Sequence, residues 1–336
     1  MTVLVGNHAA HDAFFTAAER GGLHHAWLLV GPEGVGKASF ARVAAARLLA
    51  HAVDPRVPVR GGALPEEDRT AALVAAGSHP DYREMARQPK DPAKPDENLA
   101  RSIPIAQVRA LQPMFATKPS LSERRVVLID AIDDLETAAA NALLKNLEEP
   151  PAGTIFLLIS HAPGRLLPTI RSRCRMLRFE RLSDAEVATV VRAAMPDVSD
   201  VECDALVRGG EGSPGRALAF AGLDVAALER AMAAIARDGD PSNALRGKLA
   251  KALGGKAAQH RYEAFLERAP SFIAARARER SGVTLRTALG AYEAARALAA
   301  AAPGLSLDAQ ATVFEMGGIL ARLAEQDGLQ SRGAMH

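Results

Sequence analysis

One stretch constrains this chain more than any other: Gly31-Pro-Glu-Gly-Val-Gly-Lys-Ala-Ser39, a phosphate-binding loop with one residue altered. An apolar run, Ala26-Trp-Leu-Leu-Val30, precedes it, and a helical pattern through Phe40, Val43, Ala44, Leu48 and Leu49 follows. Strand, glycine-rich turn and helix are the context that gives this motif structural meaning. The glycines let backbone N–H groups face a phosphate at a helix N-terminus, where the dipole favours an anion. Gly31, Gly34, Gly36 and Lys37 are therefore the candidate nucleotide-binding residues. The position after the lysine normally carries a hydroxyl that holds Mg²⁺. Here it is Ala38, which has no oxygen. Ser39 lies about 100° further round the helix and is expected to point elsewhere.

A second apolar run, Arg125-Val-Val-Leu-Ile-Asp130, reads as a buried parallel strand ending in a carboxylate. Asp130 falls on the edge where ligands bind in α/β sheets and reads as the acidic element that positions Mg²⁺. The next residue is where an ATPase of this type carries the glutamate that activates water. Here it is Ala131, and losing a positioned general base typically removes roughly 10²–10⁴ in rate. Asp133 and Asp134 are expected to cap the helix that follows. Two positions needed for hydrolysis are thus empty, which predicts a nucleotide fold without hydrolysis of its own.

Further strands are expected at Ile155–Ile159 and Met176–Phe179, and helices at about 8–20, 103–117 and 135–149, the last stopped by Pro150-Pro151. Strands alternating with helices imply a parallel sheet with right-handed crossovers. Residues 51–101 read as irregular, and 87–98 as an exposed Pro-rich loop. Ser183-Asp-Ala-Glu186 is a capping box. Beyond it the pattern is helical throughout.

At 336 residues the chain exceeds one ordinary core, and two or three domains are expected. Net charge is only +2 and aromatics are 4%, so neither a polycation nor a stacking platform for single strands is indicated. The two cysteines, Cys174 and Cys203, cannot build a four-ligand zinc site or a disulfide framework. Cys203 reads as a small core residue. No apolar run reaches spanning length, and the default expectation is a cytoplasmic protein with no membrane contact. His24 and His25 read as a turn packing near the nucleotide rather than metal ligands.

Arg171, Arg173, Arg175 and Arg178 crowd one short segment. From composition alone they read as a basic solvated turn or a contact for DNA phosphates. A guanidinium delivered into another subunit's phosphate site can also stabilise charge developing on the γ-phosphate.

The order along the chain bears on that choice. P-loop, Asp-ended strand, Asn-Ala-Leu-Leu-Lys (141–145), Leu-Glu-Glu-Pro-Pro (147–151), Leu-Pro-Thr-Ile-Arg-Ser-Arg-Cys (167–174) and Gly-Ser-Pro-Gly-Arg-Ala-Leu (212–218) follow one another. Together with His24-His25-Ala26, this resembles the AAA+ subunits of DNA polymerase clamp loaders over about residues 5–220. The resemblance implies an α/β P-loop AAA+ domain with a parallel sheet over 1–181, a small helical lid over 182–223, and an all-α collar that oligomerises over 224–336. It implies that Arg173 is an arginine finger acting in trans. The sensor-1 position falls on Ser160 or His161. Motor subunits carry a sensor-2 arginine where this chain has Gly215, with Arg216 one residue displaced.

Within that family the chain looks most like the non-motor, stator member, which keeps fold and finger without an ATPase of its own. The rival is an active motor of the gamma/tau type using Ser39 and Asp133 in place of the missing groups. The resemblance further implies gamma/tau ATPase and delta subunits as partners, contact with the sliding clamp through the complex, and contact with primer-template DNA through the assembled ring. ATP binding is expected to be weak or vestigial, no cofactor is required, and the four-cysteine zinc module common in the family is missing from 51–101, so no metal is expected.

Overall fold

The computed structural model describes residues 4–90, 99–304 and 307–324. Five strands form one parallel sheet: β1 (Ala26–Val30), β2 (Tyr82–Ala86), β3 (Arg125–Asp130), β4 (Thr154–Ser160) and β5 (Arg175–Arg178), in the order β2-β3-β4-β1-β5. β1 and β4 are buried along their whole length, as expected of strands covered on both faces. Alternate residues serve the two sides. Ala26, Leu28 and Val30 join Val127, Ile129, Phe156 and Leu158 in one core. Trp27 packs edge-on against Phe14, with ring centroids 5.1 Å apart.

The helices of this part are α1 (His8–Glu19), α2 (Lys37–Val53), α3 (Arg69–Ala75), α4 (Ile105–Arg109), α5 (Gln112–Phe115), α6 (Thr137–Glu148), α7 (Pro168–Arg171) and α8 (Asp184–Ala194). Ala139, Leu143 and Leu147 of α6 recur at helical spacing and close the first core. Phe14 and Phe15 of α1 and Phe40 of α2 close the other. The Ser183–Glu186 capping box starts α8 as its sequence requires.

Three expectations are corrected. Residues 51–101 are not irregular throughout, since they hold α3 and the edge strand β2. In β2, Tyr82 and Met85 are buried while Arg83 and Glu84 are exposed, and that half-polar pattern hides the strand from a search for apolar runs. The 103–117 stretch is two short helices rather than one. Asp133 and Asp134 do not cap α6, whose N-cap, Glu136, makes no side-chain capping bond. Of the 87–98 loop, residues 91–98 lie outside the described residues.

The remaining helices are α9 (Asp200–Gly210), α10 (Pro214–Ala219), α11 (Val225–Asp238), α12 (Ala244–Leu253), α13 (Gln259–Ala277), α14 (Gly282–Gly304) and α15 (Ala309–Ala321). The chain divides into two compact units, 1–196 with 210–216, and 197–209 with 217–336. The second unit is helical throughout its described residues. Inside it, the buried Arg268 on α13 bonds Glu229 on α11 at 2.7 Å, and Arg208 on α9 reaches the other oxygen of the same carboxylate at 2.8 Å. Cys203 is fully buried there, as expected of a core residue. Among the described residues, no helix is long and apolar enough to cross a membrane.

Candidate functional site

The loop between β1 and α2 takes the form its glycines allow. Gly34 and Gly36 have φ of +74° and +98°, which side chains rarely adopt. Gly31, with φ of +149°, is held for a second reason as well, since a Cβ there would meet the Phe179 carbonyl oxygen at 2.1 Å. Lys37 opens α2 and is only 3% exposed. Its ammonium donates to the Gly31 carbonyl at 2.7 Å and the Pro32 carbonyl at 2.5 Å. Burial pulls its pKa down to about 8, against the opposing pull of Asp130, Glu33 and Asp133.

Asp130 ends β3 on the edge carrying this loop, where the sequence places it. Its neighbour is a cation supplied by the chain. Arg42 on α2 approaches Asp130 at 3.7 Å and grips Glu84 of β2, with Nε 3.1 Å from each carboxylate oxygen and a terminal nitrogen at 2.5 Å. The Tyr82 hydroxyl donates to the second Glu84 oxygen at 2.7 Å. Burial pushes the Asp130 carboxyl above its usual range, and Arg42 works against that rise. Sequence reading misses Arg42 and Glu84 because nothing local pairs residues 42 apart. The missed strand β2 is what brings them together.

Asp133 has a task other than capping. It accepts from the Ser160 hydroxyl at 2.9 Å, the His161 N–H at 2.6 Å and the Ala162 N–H at 3.3 Å. One carboxylate therefore organises the turn after β4, the segment expected to hold the sensor-1 position. Asp134 pairs instead with Arg87 at 3.1 Å.

The donor set does not fit a catalytic Mg²⁺. Ala38 offers no oxygen, Ala131 offers no base, Asp130 faces a guanidinium, and Asp133 already accepts three hydrogen bonds. The segment at 210–216, which includes the start of α10, also packs directly on the loop. Ser213 Oγ donates to the Glu33 carbonyl and the Gly215 N–H to the Gly34 carbonyl, each at 2.9 Å. A Cβ on Gly34 would lie 2.3 Å from Ser213 Oγ. Arg216 bonds Glu211 at 2.9 Å.

Arg173 sits elsewhere. It precedes β5, whose first residue, Arg175, lies beside Trp27 of β1. Asp130 is the C-terminal residue of β3, and Lys37 follows the C-terminal end of β1. The strands are parallel, so Arg173 occupies the opposite edge of the sheet, more than ~10 Å away at about 3.3 Å per residue. Its guanidinium meets Glu148 at 2.8 Å and the Thr169 carbonyl at 2.9 Å. Its side chain is one-third exposed. His24 and His25 also belong to this edge and not, as expected, to the nucleotide side. His25 Nε2 bonds the Leu147 carbonyl at 3.1 Å.

A parallel 2-3-4-1-5 sheet with a glycine-rich loop between its first strand and the following helix defines a P-loop fold of the AAA+ class. A DNA polymerase III gamma subunit-related protein from Thermotoga maritima shares that fold, with a TM-score of 0.50 at 14% identity over 94% of this chain and 100% of that one. The family described as DNA polymerase III, delta subunit, matches residues 6–183, more than half the chain. A DNA polymerase III subunit delta' from Pseudomonas aeruginosa is 39% identical over 190 residues, 56% of this chain and 53% of that protein. A subunit gamma/tau from Mycobacterium bovis is 32% identical over 215 residues, 63% of this chain and 34% of that protein. The chain spans about half the length, or less, of the curated relatives it matches. It belongs to the delta' family of DNA polymerase III clamp-loader subunits.

Proposed function

We propose that the chain is the stator of a clamp loader: a subunit that does not hydrolyse ATP itself and supplies Arg173 to the ATP site of an adjacent motor. The observation that carries this reading is the separation of the two functional elements. The P-loop with Lys37 and Asp130 lies on one edge of the sheet, and Arg173 lies on the other, partly exposed. A guanidinium so placed can reach a triphosphate only in another subunit. There it would stabilise charge on the γ-phosphate oxygens, an effect worth roughly 10³–10⁵ in kcat where such a finger is supplied in other systems.

On this reading the partners are gamma/tau ATPase subunits and delta, with the sliding clamp and primer-template DNA engaged through the assembled ring in the cytoplasm. The lid at 182–223 and the collar at 224–336 belong to the same reading. The degenerate pocket holds nucleotide weakly or not at all, and neither Mg²⁺ nor zinc is required. The rival motor reading needs Asp133 as a catalytic substitute, and that carboxylate already organises the Ser160–Ala162 turn.

The test is reconstitution with gamma/tau and delta. Arg173→Ala is expected to assemble normally and to lower ATP turnover of the complex at least tenfold at the site it serves. Unchanged turnover in a fully assembled complex removes the finger assignment.

A further inference from the structure

We infer that Glu148 is the positioning residue of Arg173, orienting its guanidinium before a neighbouring subunit's phosphate arrives. This rests on the finger reading above.

The backbone around Arg173 is fixed from both sides. Ile170 is 1% exposed and belongs to the sheet core, and Cys174 packs against that core. Between them the chain turns tightly, with the Arg173 N–H bonded to the Ile170 carbonyl at 3.1 Å and Ser172 Oγ to the Thr169 carbonyl at 3.2 Å. The buried Ile170 on one side and the partly buried Cys174 on the other leave Arg173 projecting from an anchored turn.

The side chain still has several rotatable bonds, and their entropy opposes any single orientation. Three contacts narrow the choice, the longest a 3.4 Å bond to Ser172 Oγ. One terminal nitrogen bonds the Thr169 carbonyl, and the other bonds Glu148. Glu148 is itself well anchored. It is the last residue of α6, Pro150 and Pro151 stop that helix, and Leu147, 1% exposed, is tied through its carbonyl to His25. The backbone of Glu148 is therefore anchored on the same edge as Arg173, with its carboxylate in reach of the guanidinium.

The pair contributes little to folding. The side chains are 33% and 49% exposed, and an ion pair so placed is worth little in water. Its physical consequence is orientation. Pre-ordering a long cation reduces the entropy lost when it docks on a phosphate, and small misplacements of a charge-stabilising group are costly in rate. Glu148 acts only through Arg173, so removing it matters only while Arg173 is present.

The experiment uses the complex reconstituted with gamma/tau and delta, and four variants: Glu148→Ala, Glu148→Asp, Arg173→Ala and the Glu148→Ala/Arg173→Ala pair. Glu148→Ala is expected to lower kcat for ATP roughly three- to tenfold with KM nearly unchanged. Glu148→Asp should recover part of that loss. The double variant should match Arg173→Ala, and thermal unfolding of the isolated Glu148→Ala chain should coincide with the parent's. Glu148→Ala at parental turnover beside a defective Arg173→Ala overturns the inference and leaves the finger standing. A double variant markedly worse than Arg173→Ala overturns it too, because Glu148 then acts by another route. Parental turnover in Arg173→Ala removes the finger and this inference together.

Discussion

The backbone N–H of Gly215 donates to the carbonyl of Gly34 at 2.9 Å, and a Cβ on Gly215 would lie 2.9 Å from the Gly34 Cα. The segment at 210–216, where the sensor-2 residue is expected, thus packs backbone to backbone on the phosphate loop. Gly215→Ala should cost about 1–3 kcal/mol, because the contact is with backbone that cannot swing aside. Gly215→Arg, which places there the arginine expected of motor subunits, should destabilise at least as much and produce no ATP turnover. Denaturant unfolding and a coupled phosphate assay read the two results. Parental stability in Gly215→Ala would contradict the packing.

Arg42 provides the second prediction. It stands between Glu84 and Asp130, and removing it leaves two acidic groups facing each other on a partly buried edge. Arg42→Ala should lower stability by roughly 1–2 kcal/mol, a figure reduced because the arginine is half-exposed. Millimolar Mg²⁺ should stabilise Arg42→Ala but not the parent, and Asp130→Asn in the Arg42→Ala background should abolish that response. A parent whose melting temperature climbs with Mg²⁺ as steeply as the variant's would refute the built-in countercharge.

These two relationships mark the limit of sequence reading. β1, β3 and β4 are legible because both faces are covered and their residues are continuously apolar. The loop, Lys37 and Asp130 follow from that. β2 is not legible, because an edge strand carrying Arg83 and Glu84 has no apolar run, and the Arg42–Glu84 grip is hidden with it. Asp133 looks like a helix cap by position. Only the register of β3 beside β4 brings Ser160 to its carboxylate. Arg173 is legible as a motif, whereas its place on the far edge requires the strand order.

His11 supplies a pH prediction. It stacks on Phe40 with ring centroids 4.5 Å apart and lies near Phe179, and burial lowers its pKa to about 4. Between about 6.5 and about 4 the unfolded chain binds a proton that the folded chain refuses, so stability falls as pH drops through that window. His11→Phe should unfold less steeply over the same range. The check is the difference in melting temperature between parent and variant at pH 7 and pH 5. A constant difference would rule out His11 as a source of acid sensitivity.

Cys174 is the second titrating group with a clear consequence. Burial raises its thiol pKa to about 12, so almost no thiolate forms at neutral pH. With Cys203 fully buried, the folded chain should react slowly with a thiol reagent at pH 8 and release two equivalents on unfolding. Immediate labelling of one thiol in the folded chain would contradict this environment for Cys174.

On the function proposed above, this chain lends a guanidinium to a neighbour's triphosphate and does not cut its own. Steady-state ATP hydrolysis by the purified chain alone, with Lys37→Ala as the background control, tests that most directly. Parent and Lys37→Ala are expected to be indistinguishable, both at the level of contaminating activity. Turnover near 1 s⁻¹ or above, the ordinary range for an enzyme, abolished by Lys37→Ala, would contradict it.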